Sequence, residues 1–240
     1  MTTHTTQRIF LIDDHPVFRH GLRQLLEAES GLAVCGEAED APGALESLQA
    51  HDLPDLALVD VSLPGSGGID LVRRLRVLHP TLRCLVVSMH DEHLYAERAV
   101  RAGAVGYITK ALKPKAMIAE IRKALRGELA FSEGTATALL RSAYGGERRQ
   151  SRYANLSDRE LEVFELIGRG MKASAISQAL CISTKTVERH QAGIKQKLGV
   201  AHSSELRRIA AIWLSESSTP RPQHGPAHAT DGGLPRGPGP

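Results

Sequence analysis

Cysteine is scarce in this chain: Cys35, Cys84 and Cys181 are the only three among 240 residues, and no two stand in C-x-x-C spacing. That argues against a disulfide framework and a zinc site, and marks all three as reduced core residues. Long apolar runs are missing too. No stretch approaches the ~18 residues of a membrane span, and the polar start MTTHTTQR has no signal-peptide core, so a cytoplasmic protein without a membrane partner is expected. No glycine-rich phosphate loop is present. The first apolar run leads into Asp-Asp-His-Pro rather than G-x-x-x-x-G-K-[ST] or G-x-G-x-x-G, which argues against a nucleotide there. Internal repeats of solenoid period are also absent.

What is present is an ordinary globular balance, 42% apolar and 24% charged, in a length that suits two small domains. Residues 1–127 hold 15 Lys and Arg against 16 Asp and Glu, while residues 128–240 hold 15 against 11. The basic excess lies entirely in the second part and points to a polyanionic partner for it.

From residue 9 to 126 a short apolar run, a turn and an amphipathic stretch recur five times. The runs are 9–12, 33–35, 56–59, 84–87 and 105–108, and the stretches between them read as helices over about 16–29, 41–50, 68–78, 91–102 and 114–126. The runs lack alternating polarity, as strands buried on both faces of a parallel sheet do. A doubly wound α/β fold with a five-stranded parallel sheet is therefore expected for 1–126. Residues 127–152, with Gly145-Gly146 and Arg148, Arg149 and Arg152, read as a linker with one short helix around Ala138–Leu140. Residues 153–214 read as a small all-α domain, opened by the capping box Ser157-x-x-Glu160, and 215–240, rich in Pro and Gly, as a disordered tail.

In an open α/β sheet the ligand site lies beyond the carboxyl ends of the strands. Those positions hold Asp13 and Asp14, then Asp60, Ser88 and Lys110. Taken singly, each has an ordinary role as a cap or a solvated charge. Together, three carboxylates repel one another unless a cation joins them, and an all-oxygen set suits Mg²⁺. A carboxylate can itself attack phosphorus, with a metal, an ammonium and a hydroxyl neutralising the phosphoryl oxygens.

Over about 120 residues these segments, LIDDHPVFRHGL, LALVDVSLPGSGGIDL, LVVSMHDE and GAVGYITKAL, resemble a bacterial two-component receiver domain. The resemblance implies Asp60 as phosphoacceptor. It implies Asp13, Asp14 and Asp60 as Mg²⁺ ligands, with a backbone carbonyl from Ser62. It further implies Lys110 as the phosphate-binding lysine, and Ser88 and Tyr107 as the switch pair.

In the second domain, Ala173–Leu198 reads as a helix, a turn around Cys181-Ile182 and a second helix capped by Ser183. Val187, Gln191, Ile194 and Leu198 form one stripe, with His190 as a packing residue at its border. Lys185, Arg189, Ala192 and Gln196 lie opposite, flanked by Glu188 and Lys195, as a helix entering a major groove requires. The whole segment from Leu156 to Val200 resembles the LuxR-type helix-turn-helix, and the two domains together resemble a response regulator of the NarL/FixJ group. By that resemblance Thr184, Lys185, Glu188, Arg189 and Ala192 face bases of double-stranded DNA, and Thr186, Lys195 and Lys197 lie nearer phosphates. It also implies a sensor histidine kinase as partner and a homodimer on phosphorylation. Leu206, Ile209, Ala210 and Trp213 give the final helix more apolar surface than so small a domain needs, so this helix is available for pairing two helical domains. In several members of the group the resting receiver covers the recognition helix.

Gly193 interrupts the recognition helix, either for close backbone approach or by drift. Two other readings belong to different classes. An aspartate-nucleophile phosphatase needs a second acid two residues after the nucleophile, where this chain has Ser62, so an enzyme is not expected. A scaffold that binds only protein is disfavoured by the basic excess.

Overall fold

The computed structural model describes residues 6–90, 92–132, 135–137, 153 and 155–218. The expected short helix around Ala138–Leu140, the basic cluster Arg148, Arg149 and Arg152, and all but the first residues of the 215–240 tail lie outside that range.

Five strands, β1 (Gln7–Ile12), β2 (Leu32–Ala38), β3 (Leu56–Val59), β4 (Arg83–Ser88) and β5 (Gly106–Thr109), form one parallel sheet in the order β2-β1-β3-β4-β5. They alternate with α1 (Pro16–Glu27), α2 (Ala41–Ala50), α3 (Gly68–Leu78), α4 (Glu92–Ala102) and α5 (Pro114–Leu125). This is the doubly wound fold expected from the sequence. Along each central strand the residues alternate between two apolar cores. Phe10, Ile12, Ala57, Val59, Cys84 and Val86 face α2, α3 and α4, while Ile9, Leu11, Leu56, Leu58, Leu85 and Val87 face the core that holds Leu22 and Leu26 of α1 and Ile118 and Ile121 of α5. Both faces are apolar, which is why the runs show no polar alternation.

Strand β2 is longer than its apolar run suggests. It continues through Gly36 and Glu37 to Ala38, past a register shift opposite Ile9 and Phe10. A Cβ on Gly36 would stand 2.5 Å from the Phe10 ring, so the glycine lets an edge strand pass over an aromatic side chain. The chain leaving α5 also returns to the sheet. Tyr107 N donates to Ala130 O, and Ala130 N donates to Val105 O, so the beginning of the expected linker lines the β5 edge.

The second region contains α6 (Asp158–Gly168), α7 (Ala173–Ala179), α8 (Thr184–Leu198) and α9 (Ser203–Ser218). The Ser157 and Glu160 capping box is complete, and the Ser183 side chain caps α8 by accepting from Thr186 N. Tyr153, Phe164 and Trp213 form a three-ring cluster with centroids 5.2 to 5.7 Å apart. Leu206, Ile209, Ala210 and Trp213 are all buried, so the surface expected to serve pairing is spent on the domain's own core; α9 packs along α6, and Ile212 is its large exposed apolar residue. A Cβ on Gly193 would stand 2.7 Å from Glu160 Oε1, which explains the helix interruption as a close approach between α8 and the α6 capping box.

No helix among the described residues is long and apolar enough to cross a membrane.

Candidate functional site

The strand order reverses between β1 and β3, and the crevice at that reversal receives whatever follows the two strands. Asp13 and Asp14 follow β1; Asp60 follows β3. The loop after Asp60 folds back tightly. Gly68 N donates to Val61 O, and a Cβ on Gly68 would collide with Asp60 O at 1.7 Å, so only glycine can begin α3 this close to the carboxylate's own backbone.

Lys110, one residue past β5, reaches back with Nζ 2.8 Å from Asp60 Oδ2 and 2.7 Å from Asp13 Oδ2. Its side chain is buried among these acids, with Nζ 4.7 Å from the centre of the Phe18 ring. Burial raises the Asp60 pKa above the usual carboxylate range; Lys110 lowers it and the nearby Asp13 raises it again. Asp13, Asp14, His15 and Asp60 bring ligand atoms within 4.8 Å of one another. Asp14 Oδ1 is buried and accepts no hydrogen bond, although His15 Nδ1 approaches it to 2.6 Å out of line. Three carboxylates against one buried ammonium, with one oxygen unsatisfied, fit a hard divalent cation.

The structure thus gathers Asp13, Asp14, Asp60 and Lys110 as the sequence suggests. Ser62 turns its backbone N–H toward Asp60 and its side chain toward His90, with Oγ 2.7 Å from His90 Nε2. Ser88 ends β4, and its Oγ accepts from His90 N at 3.2 Å. Tyr107 is fully buried and donates from its phenol to His90 O at 2.9 Å. Tyr107 thus already occupies the interior, beside the Ser88 and His90 turn.

His15 and His90 were not legible as site residues. Nor were Glu162 and Glu165 of α6, which join the receiver at this rim. His90 Nδ1 lies 2.8 Å from Glu165 Oε2, and Tyr95 of α4 donates to the same oxygen at 3.1 Å. Burial disfavours the charged imidazole, but the Glu165 carboxylate outweighs it and raises the His90 pKa. Burial likewise opposes ionisation of Glu165, whose pKa is nonetheless lowered by His90. Glu162 is pushed up to about 7 by burial, despite its bond to Arg159. Arg98 of α4 completes the contact by donating to Leu156 O, Tyr153 O and Asp158.

On α8, Val187, Ile194 and Leu198 are buried, and His190 is half-buried with its pKa lowered by burial and by Arg159 and Arg189. Thr184, Lys185, Glu188, Arg189 and Ala192 are exposed. The receiver contacts α6 and leaves this face open, unlike the covered arrangement the family suggests. Thr186 is held by the Ser183 hydroxyl at 2.8 Å, Lys195 is partly buried, and Lys197 Nζ is engaged by Glu160 Oε2 at 2.6 Å.

Residues 9–122 match the model of the response regulator receiver domain, and residues 154–210 that of bacterial regulatory proteins of the luxR family. The chain is 38% identical over 204 residues to the transcriptional activator protein ExaE of Pseudomonas putida, covering 84% of this chain and 94% of that one. It is 32% identical over 203 residues to the response regulator GacA of Pseudomonas aeruginosa, covering 85% and 94%. Among solved structures, a LuxR-family response regulator from Aurantimonas sp. SI85-9A1 has 37% identity and a TM-score of 0.54, covering 59% of this chain and all of that one. RcsB of Salmonella enterica serovar Typhimurium, bound to promoter rprA in the presence of the phosphomimetic BeF₃⁻, shares the fold at 24% identity and a TM-score of 0.58, covering 86% and 99%. The acidic crevice and the open α8 face therefore lie within one known architecture, and the chain belongs to the NarL/FixJ (LuxR) group of response regulators, as a transcriptional regulator with a LuxR-type DNA-binding domain.

Proposed function

We propose that Asp60 is the phosphoacceptor, that a sensor histidine kinase supplies the phosphoryl group, and that phosphorylation favours a homodimer that binds operator DNA. The observation that carries this reading is the single buried ammonium of Lys110 shared by Asp13 and Asp60 at the strand-order reversal. An Asp60 carboxylate oxygen attacks phosphorus; the P–N bond to the donor histidine breaks, and its electron pair leaves on the imidazole, which takes up a proton. Lys110 and the Ser88 hydroxyl face the added charge, up to two negative units. Water later attacks phosphorus, the acyl P–O bond breaks, and inorganic phosphate leaves with the Asp60 carboxylate restored.

Asp13, Asp14 and Asp60, with the Ser62 carbonyl, would hold Mg²⁺. When bound, the ion supplies charge neutralisation to the phosphoryl oxygens. The exposed Thr184, Lys185, Glu188, Arg189 and Ala192 read bases, and Thr186, Lys195 and Lys197 lie toward phosphates, Lys197 on leaving Glu160.

Acetyl phosphate and Mg²⁺ should add one hydroxylamine-labile phosphoryl group. Phosphorylated protein should bind a DNA site selected from a random pool roughly 5- to 150-fold more tightly than unmodified protein. Equal affinity of both forms, with no change in sedimentation, refutes the coupling.

A further inference from the structure

His90 bridges the phosphorylation rim and the helical domain. Its ring spans Ser62 Oγ at 2.7 Å and Glu165 Oε2 at 2.8 Å. Its backbone N–H holds the Ser88 hydroxyl, and its backbone carbonyl holds the Tyr107 phenol. Glu165 itself is a buried side chain fixed further by Tyr95 and Arg169. The path from the helical domain to the residues flanking Asp60 is thus one side chain long.

We propose that Glu165, carried by the helical domain, is a positioning residue for phosphoryl transfer at Asp60: by fixing His90 it holds Ser62 and Ser88 in their resting places, so the docked helical domain restrains phosphorylation of the receiver. This rests on the reading of Asp60 as phosphoacceptor. For Ser88 to bond a phosphoryl oxygen, its hydroxyl proton must turn toward Asp60 while its oxygen accepts from the His90 amide, so Ser88 can move only as far as the peptide around His90 allows, and that peptide is pinned through ring and carbonyl alike. Charge acts in the same direction. A phosphoryl group at Asp60 adds negative charge on the side of the interface where Glu162 and Glu165 are buried. The restraint runs from the DNA-binding domain to the receiver, and it leaves the outer face of α8 open. By linkage, phosphorylation must loosen the docking by the same factor by which docking weakens phosphorylation.

The full chain, incubated with acetyl phosphate and Mg²⁺, gives the initial rate of acyl-phosphate formation, while amide hydrogen exchange over 92–102 and 158–168 reports docking. Glu165→Ala should raise the rate about fivefold or more and raise exchange in both helices. Glu165→Gln, which keeps an acceptor for His90, should fall between the wild type and Glu165→Ala. Arg98→Ala, which loosens the same docking away from His90, should also raise the rate. Because Glu165 acts through His90, combining Glu165→Ala with His90→Gln should add nothing to the larger single effect. A wild-type rate in Glu165→Ala or Arg98→Ala when exchange shows opening, or multiplicative effects in the double variant, overturns the inference alone. Absence of labelling in every form, or undiminished labelling of Asp60→Ala, overturns the phosphoacceptor reading and this inference with it.

Discussion

The crevice behind β1 and β3 and the outer face of α8 set the two halves of this regulator on opposite kinds of surface. Asp13 and Asp60 are 5% and 3% exposed and share one ammonium, so each group fixes the position of the next. Lys185, Glu188, Arg189 and Ala192 stand in solvent on one helix face, where each is free to contribute separately. Substitutions in the crevice should therefore act as all-or-none changes, and substitutions on α8 as increments.

The sharpest break of this contrast is Asp60→Ala, which should abolish labelling by acetyl phosphate while DNA binding at low salt persists; mass spectrometry and filter binding measure the two. Next in size is Glu162, buried on α6 with its pKa pushed up from 4.5 to about 7. A folded state that holds the proton more tightly than the unfolded chain loses stability as pH rises through that window. The fully buried Glu162→Gln should therefore flatten the decline between pH 4.5 and 7, read by urea denaturation across that range. Arg189→Ala should weaken binding to a preferred site by about 1–3 kcal/mol and random DNA less, whereas Lys197→Ala should weaken both alike and flatten the salt dependence. Identical behaviour of the two would erase the division between base and phosphate contacts. The smallest effect belongs to Gly193→Ala: the helix gains up to about 1 kcal/mol of propensity, but the Glu160 carboxylate must move from its cap. A net loss below about 1 kcal/mol in thermal unfolding is expected.

The contrast also governs what could be read from the sequence. Asp13, Asp60 and Lys110 were legible because a charged residue directly after an apolar run marks a strand end, and strand ends of one sheet share an edge. His90 and Glu165 carry no such mark. They are 75 positions apart and meet only because α6 docks on the receiver. On α6 the apolar residues Leu161, Phe164 and Ile167 announce one buried face, and nothing in the pattern marks Glu162 and Glu165, which are buried as well. The same interdomain packing leaves the outer face of α8 exposed. For α9 the reading ran the other way: Leu206, Ile209, Ala210 and Trp213 suggest spare surface because pattern alone does not show that the domain's own core buries all four.

The return of the chain to the β5 edge at Ala130 ties the first part of the connection between the two domains to the receiver. Fifteen residues separate Thr137 from Tyr153. A connection of that length keeps the second domain at an effective concentration on the order of millimolar beside the first. An interface that would be half-dissociated at millimolar levels between separate molecules is then half-closed within one. Glu165, Arg98 and Asp158 therefore need supply only a weak intrinsic affinity, and a modest charge change at Asp60 is enough to tip the balance.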